Sequence, residues 1–73
     1  MGYIMYVVEL RIPRSRIMEV IENFENYIDL IEGSPLLTLG YVVRLKFYKG
    51  LKEVLEILRK HNLEDCIIRI YGY

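Results

Sequence analysis

The sequence predicts an α/β fold, a two-layer sandwich in β-α-β-α-β order with both helices on one face of the sheet. Three observations carry this expectation. Residues 3–12 and 41–48 alternate with a period of two, and two stretches, one after each, carry apolar residues with a period near 3.6. In each strand one face is wholly apolar and the other mixed, the pattern of a sheet covered on one side only.

In the first strand, Ile4, Tyr6, Val8, Leu10 and Ile12 fall on one side and Tyr3, Met5, Val7, Glu9 and Arg11 on the other. Pro13 stops it, since proline cannot donate to a ladder. A helix follows, predicted from Arg14 to Glu32. Its stripe is Ile17, Val20, Ile21, Phe24, Ile28 and Ile31; Ser15 is placed to cap it, and Gly33 with Pro35 to end it.

Residues 41–48 form the next strand, with Tyr41, Val43, Leu45 and Phe47 on one face and Val42, Arg44, Lys46 and Tyr48 on the other. Leu36–Leu39 either extends it through a bulge at Gly40 or forms a separate strand. If 36–48 splits in two, the order becomes that of a ferredoxin-like βαββαβ sandwich. If all three strands are parallel, right-handed crossovers demand the sequential order 1-2-3.

A second helix is predicted from Leu51 to His61, with Leu51, Val54, Leu55 and Leu58 inward and Glu56 paired to Lys60. Asn62 suits the left-handed position that follows a helix. The last strand, Asp65 to Tyr71, puts Cys66, Ile68 and Ile70 on one face and Ile67, Arg69 and Tyr71 on the other.

At 73 residues the chain has room for one domain, residues 1–73. So short a chain buries only about 60% of its unfolded surface, and small domains commonly add disulfides, a metal or a second copy. Cys66 is the only cysteine and His61 the only histidine, which excludes an internal disulfide and a four-ligand zinc site of nitrogen and sulfur. With 53% hydrophobic residues available for a core, a homo-oligomer is the expected remedy. No signal segment or membrane span is expected: the longest uncharged stretch, Gly33 to Val43, is too short and contains Gly and Pro. A lone thiol then fits a cytoplasmic, reducing setting. The absence of Gln, with many Ile, Glu, Lys and Arg, resembles thermophilic usage.

Net charge is zero, so bulk electrostatics select no partner, but the charge is unevenly placed. The helix-free sheet face is expected to carry Arg11, Arg44, Lys46 and Arg69 against Glu9 alone, together with Tyr3, Tyr48, Tyr71 and Tyr73. Tyrosine rings that stack bases beside cations that hold phosphates describe a single-stranded nucleic-acid surface. The same residue types are enriched at protein interfaces, and a merely solvated face is the third reading. No strand carries the aromatic-glycine signature of an RNA-recognition motif. The first helix is expected to gather Glu19, Glu22, Glu25, Asp29 and Glu32 against Arg14 and Arg16, neutralised laterally by Lys52, Arg59 and Lys60 of the second.

Cys66, on the apolar face, is expected to be an inert core thiol. His61 closes the second helix, where a cation suits the dipole. Ser15 and Ser34 stand at opposite ends of the first helix and do not make a triad with it. The glycines at 2, 33, 40, 50 and 72 form no phosphate-binding loop. No catalytic residue, metal ligand or cofactor is assigned.

The segment Tyr6-Val7-Val8-Glu9-Leu10-Arg11-Ile12-Pro13, followed by a helix, resembles the start of the small ferredoxin-like nucleases of CRISPR adaptation. That resemblance implies a ferredoxin-like fold and metal-dependent cleavage, with an aspartate ending the first strand. Arg11 occupies the corresponding position here. The leading functional expectation is a self-associating interaction module; single-stranded RNA or DNA binding through Tyr3, Arg11, Arg44, Lys46, Tyr48, Arg69 and Tyr71 is the alternative, and a nuclease the third.

Overall fold

The first strand forms where its alternation predicts. In a computed structural model that describes residues 5–33 and 40–73, β1 spans Tyr6–Ile12 with Val8, Leu10 and Ile12 fully buried. Tyr3, Ser34 and the undecided segment 36–39 lie outside the described residues. Beyond Pro13 the chain makes a 3-10 turn, Arg14–Arg16, closed by the Arg16 N–H donating to the Pro13 carbonyl at 2.9 Å. Helix α1 is Ile17–Phe24 and has no side-chain cap, so Ser15 sits inside the turn and caps nothing.

The predicted helix over 14–32 is therefore half right. It ends at Phe24, passes through a 3-10 turn at Glu25–Tyr27, and becomes a strand, β2, at Ile28–Gly33. The physical reason lies in the acids. A continuous helix would stack Glu22, Glu25, Asp29 and Glu32 three and four residues apart with no base among them, each like pair costing about 0.2–0.5 kcal/mol. As a strand the segment places Asp29 beside Lys46 and Arg44 instead. Ile28 and Ile31, three apart, fit a helical stripe equally well, but a pairing irregularity between Ile28 and Leu30 sets both opposite core residues of the next strand, Leu45 and Val43. Ile28 packs on the core while Ile31 stays 38% exposed.

β3 spans Tyr41–Phe47, leaving Tyr48 just outside it. Gly40, which leads into β3, holds φ at 150°, and a β-carbon there would lie 2.2 Å from the Ile12 carbonyl oxygen, so only glycine fits. α2 follows at Leu51–Lys60, with Val54 and Leu58 buried. Leu51, expected inside, is 42% exposed. The end of α2 forms as Asn62 predicts. Asn62 is left-handed with φ 56°, its N–H donating to the Arg59 carbonyl while the Leu63 N–H reaches back to the Leu58 carbonyl. This is a Schellman closure, and Leu63 seals it by packing into the core with Leu58.

After a 3-10 turn at Glu64–Cys66, β4 runs Ile67–Gly72. Its pairing with β1 slips, Glu9 facing Arg69 while Leu10 faces Ile67. Ile68 is thereby the extra residue of a bulge and 44% exposed, and Ile67, not Ile68, joins Ile70 against the core. Cys66 precedes the strand and packs half-buried on the same core.

Among the described residues the element order is thus β-α-β-β-α-β rather than five elements, and every strand pairing is antiparallel, in the spatial order β2-β3-β1-β4. The described residues form a small α+β domain with a four-stranded antiparallel sheet and two helices. Buried residues of both helices share one cluster with Val8, Leu10 and Ile12 of β1 and Val43, Leu45 and Phe47 of β3, an arrangement compatible with two layers. Each such aliphatic or aromatic side chain contributes about 1.5–3 kcal/mol by leaving water. At one end Tyr27 stacks on Phe47 at 4.8 Å, and Phe24 meets the rings of Phe47 and His61 edge-on. No helix among the described residues is long and apolar enough to cross a membrane.

Candidate interaction face of the sheet

Side chains alternate along a strand, so the residues between the core positions of β1 and β3 project from the opposite face. Glu9, in the central strand β1, has Arg44 of β3 directly across on one side and Arg69 of β4 on the other. Its carboxylate accepts from both. Arg44 donates through Nε and Nη2 at 3.2 and 3.1 Å to Oε2, and Arg69 Nε lies 2.8 Å from Oε1. The Glu9 side chain is only 12% exposed, so these two guanidiniums replace most of its water.

On the other side of Arg44, Asp29 of β2 extends the row. Its Oδ1 is 3.3 Å from Lys46 Nζ and its Oδ2 is 3.9 Å from Arg44 Nη1. Lys46, Asp29, Arg44, Glu9 and Arg69 form a chain of alternating sign across all four strands. The hydrogen bond to Glu9 holds the Arg44 guanidinium charged to higher pH than usual, against the opposing effect of burial.

The charge of this face is smaller than the sequence predicts. Asp29 and Glu32 belong to β2 rather than to a helix, and Glu32 faces Val42 on the same side as Arg11. Among the described residues the face carries Arg11, Arg44, Lys46 and Arg69 against Glu9, Asp29 and Glu32, a surplus of one instead of three. The acidic stripe is broken up accordingly. Glu19 pairs with Arg16 at 2.9 Å, and Arg59 pairs with Glu64 rather than with α1. Neither the Glu56–Lys60 pair nor the bridging of helix acids by Lys52, Arg59 or Lys60 is formed among the described residues.

The proposed site residues are partly gathered. Arg44, Lys46 and Arg69 belong to one network, while Arg11 lies at its margin, exposed, and forms no ion pair among the described residues. Tyr71 faces Val7 across the strands, and the Tyr73 ring meets it edge-on at 5.5 Å. Burial pushes the Tyr71 phenol above its usual range, and the Glu9 carboxylate and Tyr73 push the same way. Tyr48, 73% exposed, stands at the end of β3.

Three participants escape a reading of the sequence. Asp29 was hidden by its place in a helical stripe, although the unrelieved repulsion around it was a signal. Val7 is 2% exposed on the side away from the main core, with Lys46 and Tyr71 as its cross-strand neighbours, so this face has an apolar floor. Arg16 braces the fold elsewhere, donating to the His61 and Asn62 carbonyls at 2.9 and 3.0 Å where α2 ends. No known protein family, curated protein or solved structure matches the chain.

Proposed function

We propose that this chain is a ferredoxin-like interaction module that self-associates through the strand side of the molecule. The observation that supports this reading is the network on the helix-free face. Three of its four cations, Arg44, Lys46 and Arg69, already face carboxylates of Glu9 and Asp29. A phosphate backbone needs cations free to replace its counterions, and this face offers a surplus of one. A near-neutral surface of both signs, with Val7 as floor and Ile68 and Tyr73 exposed at 44% and 61%, instead suits a second protein surface. The thin stability margin of so short a chain favours the same outcome. For metal-dependent cleavage, Arg11 puts a cation where the nuclease resemblance requires an aspartate, so that activity is not proposed.

Light scattering coupled to size exclusion tests the reading, with a titration of labelled single-stranded RNA and DNA on the same sample. A closed oligomer that ignores nucleic acid is the expected result. A monomer at high micromolar concentration that binds RNA with a log–log salt slope of about −2 to −3, as for three or four neutralised phosphates, would replace it with the nucleic-acid alternative.

A further inference from the structure

We infer that a second copy of this chain adds to the outer edge of β4, strand to strand and antiparallel, about a twofold axis at Ile70. The inference names the contact of the self-association proposed above and rests on that reading. Among the described residues, β4 and β2 are the two edges of the sheet. The Tyr73 N–H donates to the Met5 carbonyl at 2.9 Å. Antiparallel ladders alternate residue pairs that exchange hydrogen bonds with pairs that do not. Tyr71 faces Val7 and Arg69 faces Glu9 in the same phase, so residues 69, 71 and 73 bond inward. Ile70 and Gly72 therefore turn their N–H and C=O groups outward, along the edge that no described strand pairs with.

The two edges are defended differently. Natural edges repel one another with charges. β2 carries Asp29 and Glu32 and no base, so pairing it with itself crowds carboxylates. β4 has one charged side chain, Arg69, and its guanidinium is drawn inward to Glu9 at 2.8 Å. The bulge leaves Ile68 exposed at the same edge.

Charge and pairing also select the register. Directly opposed residues share a face, so a twofold axis must pass through a residue. An axis at Arg69 sets guanidinium against guanidinium. An axis at Tyr71 bonds Ile70 to Gly72 but sets Arg69 opposite Tyr73, beyond the strand, and leaves Ile68 uncovered. An axis at Ile70 keeps the pairing inside β4, with Ile70 exchanging two hydrogen bonds with its counterpart and Ile68 covered opposite Gly72. Arg69 then faces Tyr71 of the second copy on both sides of the axis. Those are non-hydrogen-bonded pairs, with Cα atoms about 4.5 Å apart, close enough to lay a guanidinium on a ring. Twofold pairing of one edge closes at a dimer.

Sedimentation equilibrium of the wild type and Ile68→Lys tests this, with amide exchange of β4 followed against protein concentration. Ile68 lies outside the core, so an unchanged melting curve at low concentration checks that the variant folds. The expected result is a wild-type dimer whose Ile70 and Gly72 amides gain protection with concentration, and a variant dimer weaker by about tenfold or more. A variant that dimerises like the wild type, with no concentration dependence at these amides, overturns the β4 contact and leaves self-association standing. A wild type that stays monomeric at high micromolar concentration overturns both. A ladder of species beyond the dimer overturns the twofold arrangement.

Discussion

Gly40 is where a single missing atom decides whether two strands can meet. Its φ of 150° and the Ile12 carbonyl 2.2 Å from where a β-carbon would stand leave no relaxed conformation for alanine. Gly40→Ala is expected to cost at least about 2 kcal/mol, read as a fall in the urea midpoint with an unchanged slope. Gly50 has open space around it, so Gly50→Ala serves as the control. Tyr71 makes a pH prediction. Its phenol titrates above the usual value, so the folded state holds that proton more firmly than the unfolded chain does. The contribution is complete below the usual range, about 10, and is lost as pH rises through the raised folded value. Tyr71→Phe should flatten the alkaline end of the stability curve, and a curve as steep as the parent's would remove Tyr71 from the account. These residue-level facts were unevenly legible in the sequence. Asn62 announced its left-handed turn, because few residues besides glycine tolerate that geometry. Ile68 gave no sign of its bulge, since a one-residue slip exchanges Ile67 for Ile68, and the two are chemically the same.

Elements are harder to read than residues where two periods agree. β1 and β3 emerged from the sequence because nothing but a strand alternates over seven residues. Residues 28–33 did not, since Ile28 and Ile31 satisfy a helix and a bulged strand alike, and only partners distant in sequence, Lys46 and Arg44, decide between them. The short α1 that results leaves its start uncapped, and Arg16 compensates by tying that start to the end of α2. Its guanidinium accepts nothing and donates to the His61 and Asn62 carbonyls and to Glu19. A cation at a helix C-terminus is also favoured by the dipole. Arg16→Met is therefore expected to destabilise by about 1–2 kcal/mol and to speed amide exchange at Asn62 and Leu63. Arg16→Lys keeps the charge and loses the fork, so it should recover only part. Equal stability of all three proteins would make the clamp incidental.

Across the whole molecule, the position of β2 governs the electrical character of the exposed sheet. A helix over 14–32 would have carried Asp29 and Glu32 to the opposite layer and left Arg11, Arg44, Lys46 and Arg69 facing Glu9 alone. The charge surplus expected from the sequence depended on that assignment, and it falls from three to one when the strand brings both acids back. This yields a test in which the acids are removed by design. Glu9→Gln with Asp29→Asn keeps side-chain size and restores a surplus of three on the face. The substitutions break the row from Lys46 to Arg69, at about 1–2 kcal/mol for the better-buried Glu9. If carboxylates are what withhold this surface from nucleic acid, the double variant should bind single-stranded RNA more tightly than the parent. Its log–log salt slope should steepen by about 0.7 for each cation released. Anisotropy at two salt concentrations, on protein confirmed to be folded, measures both. Binding no stronger than the parent's would mean that Glu9 and Asp29 are not what limits phosphate binding at this face.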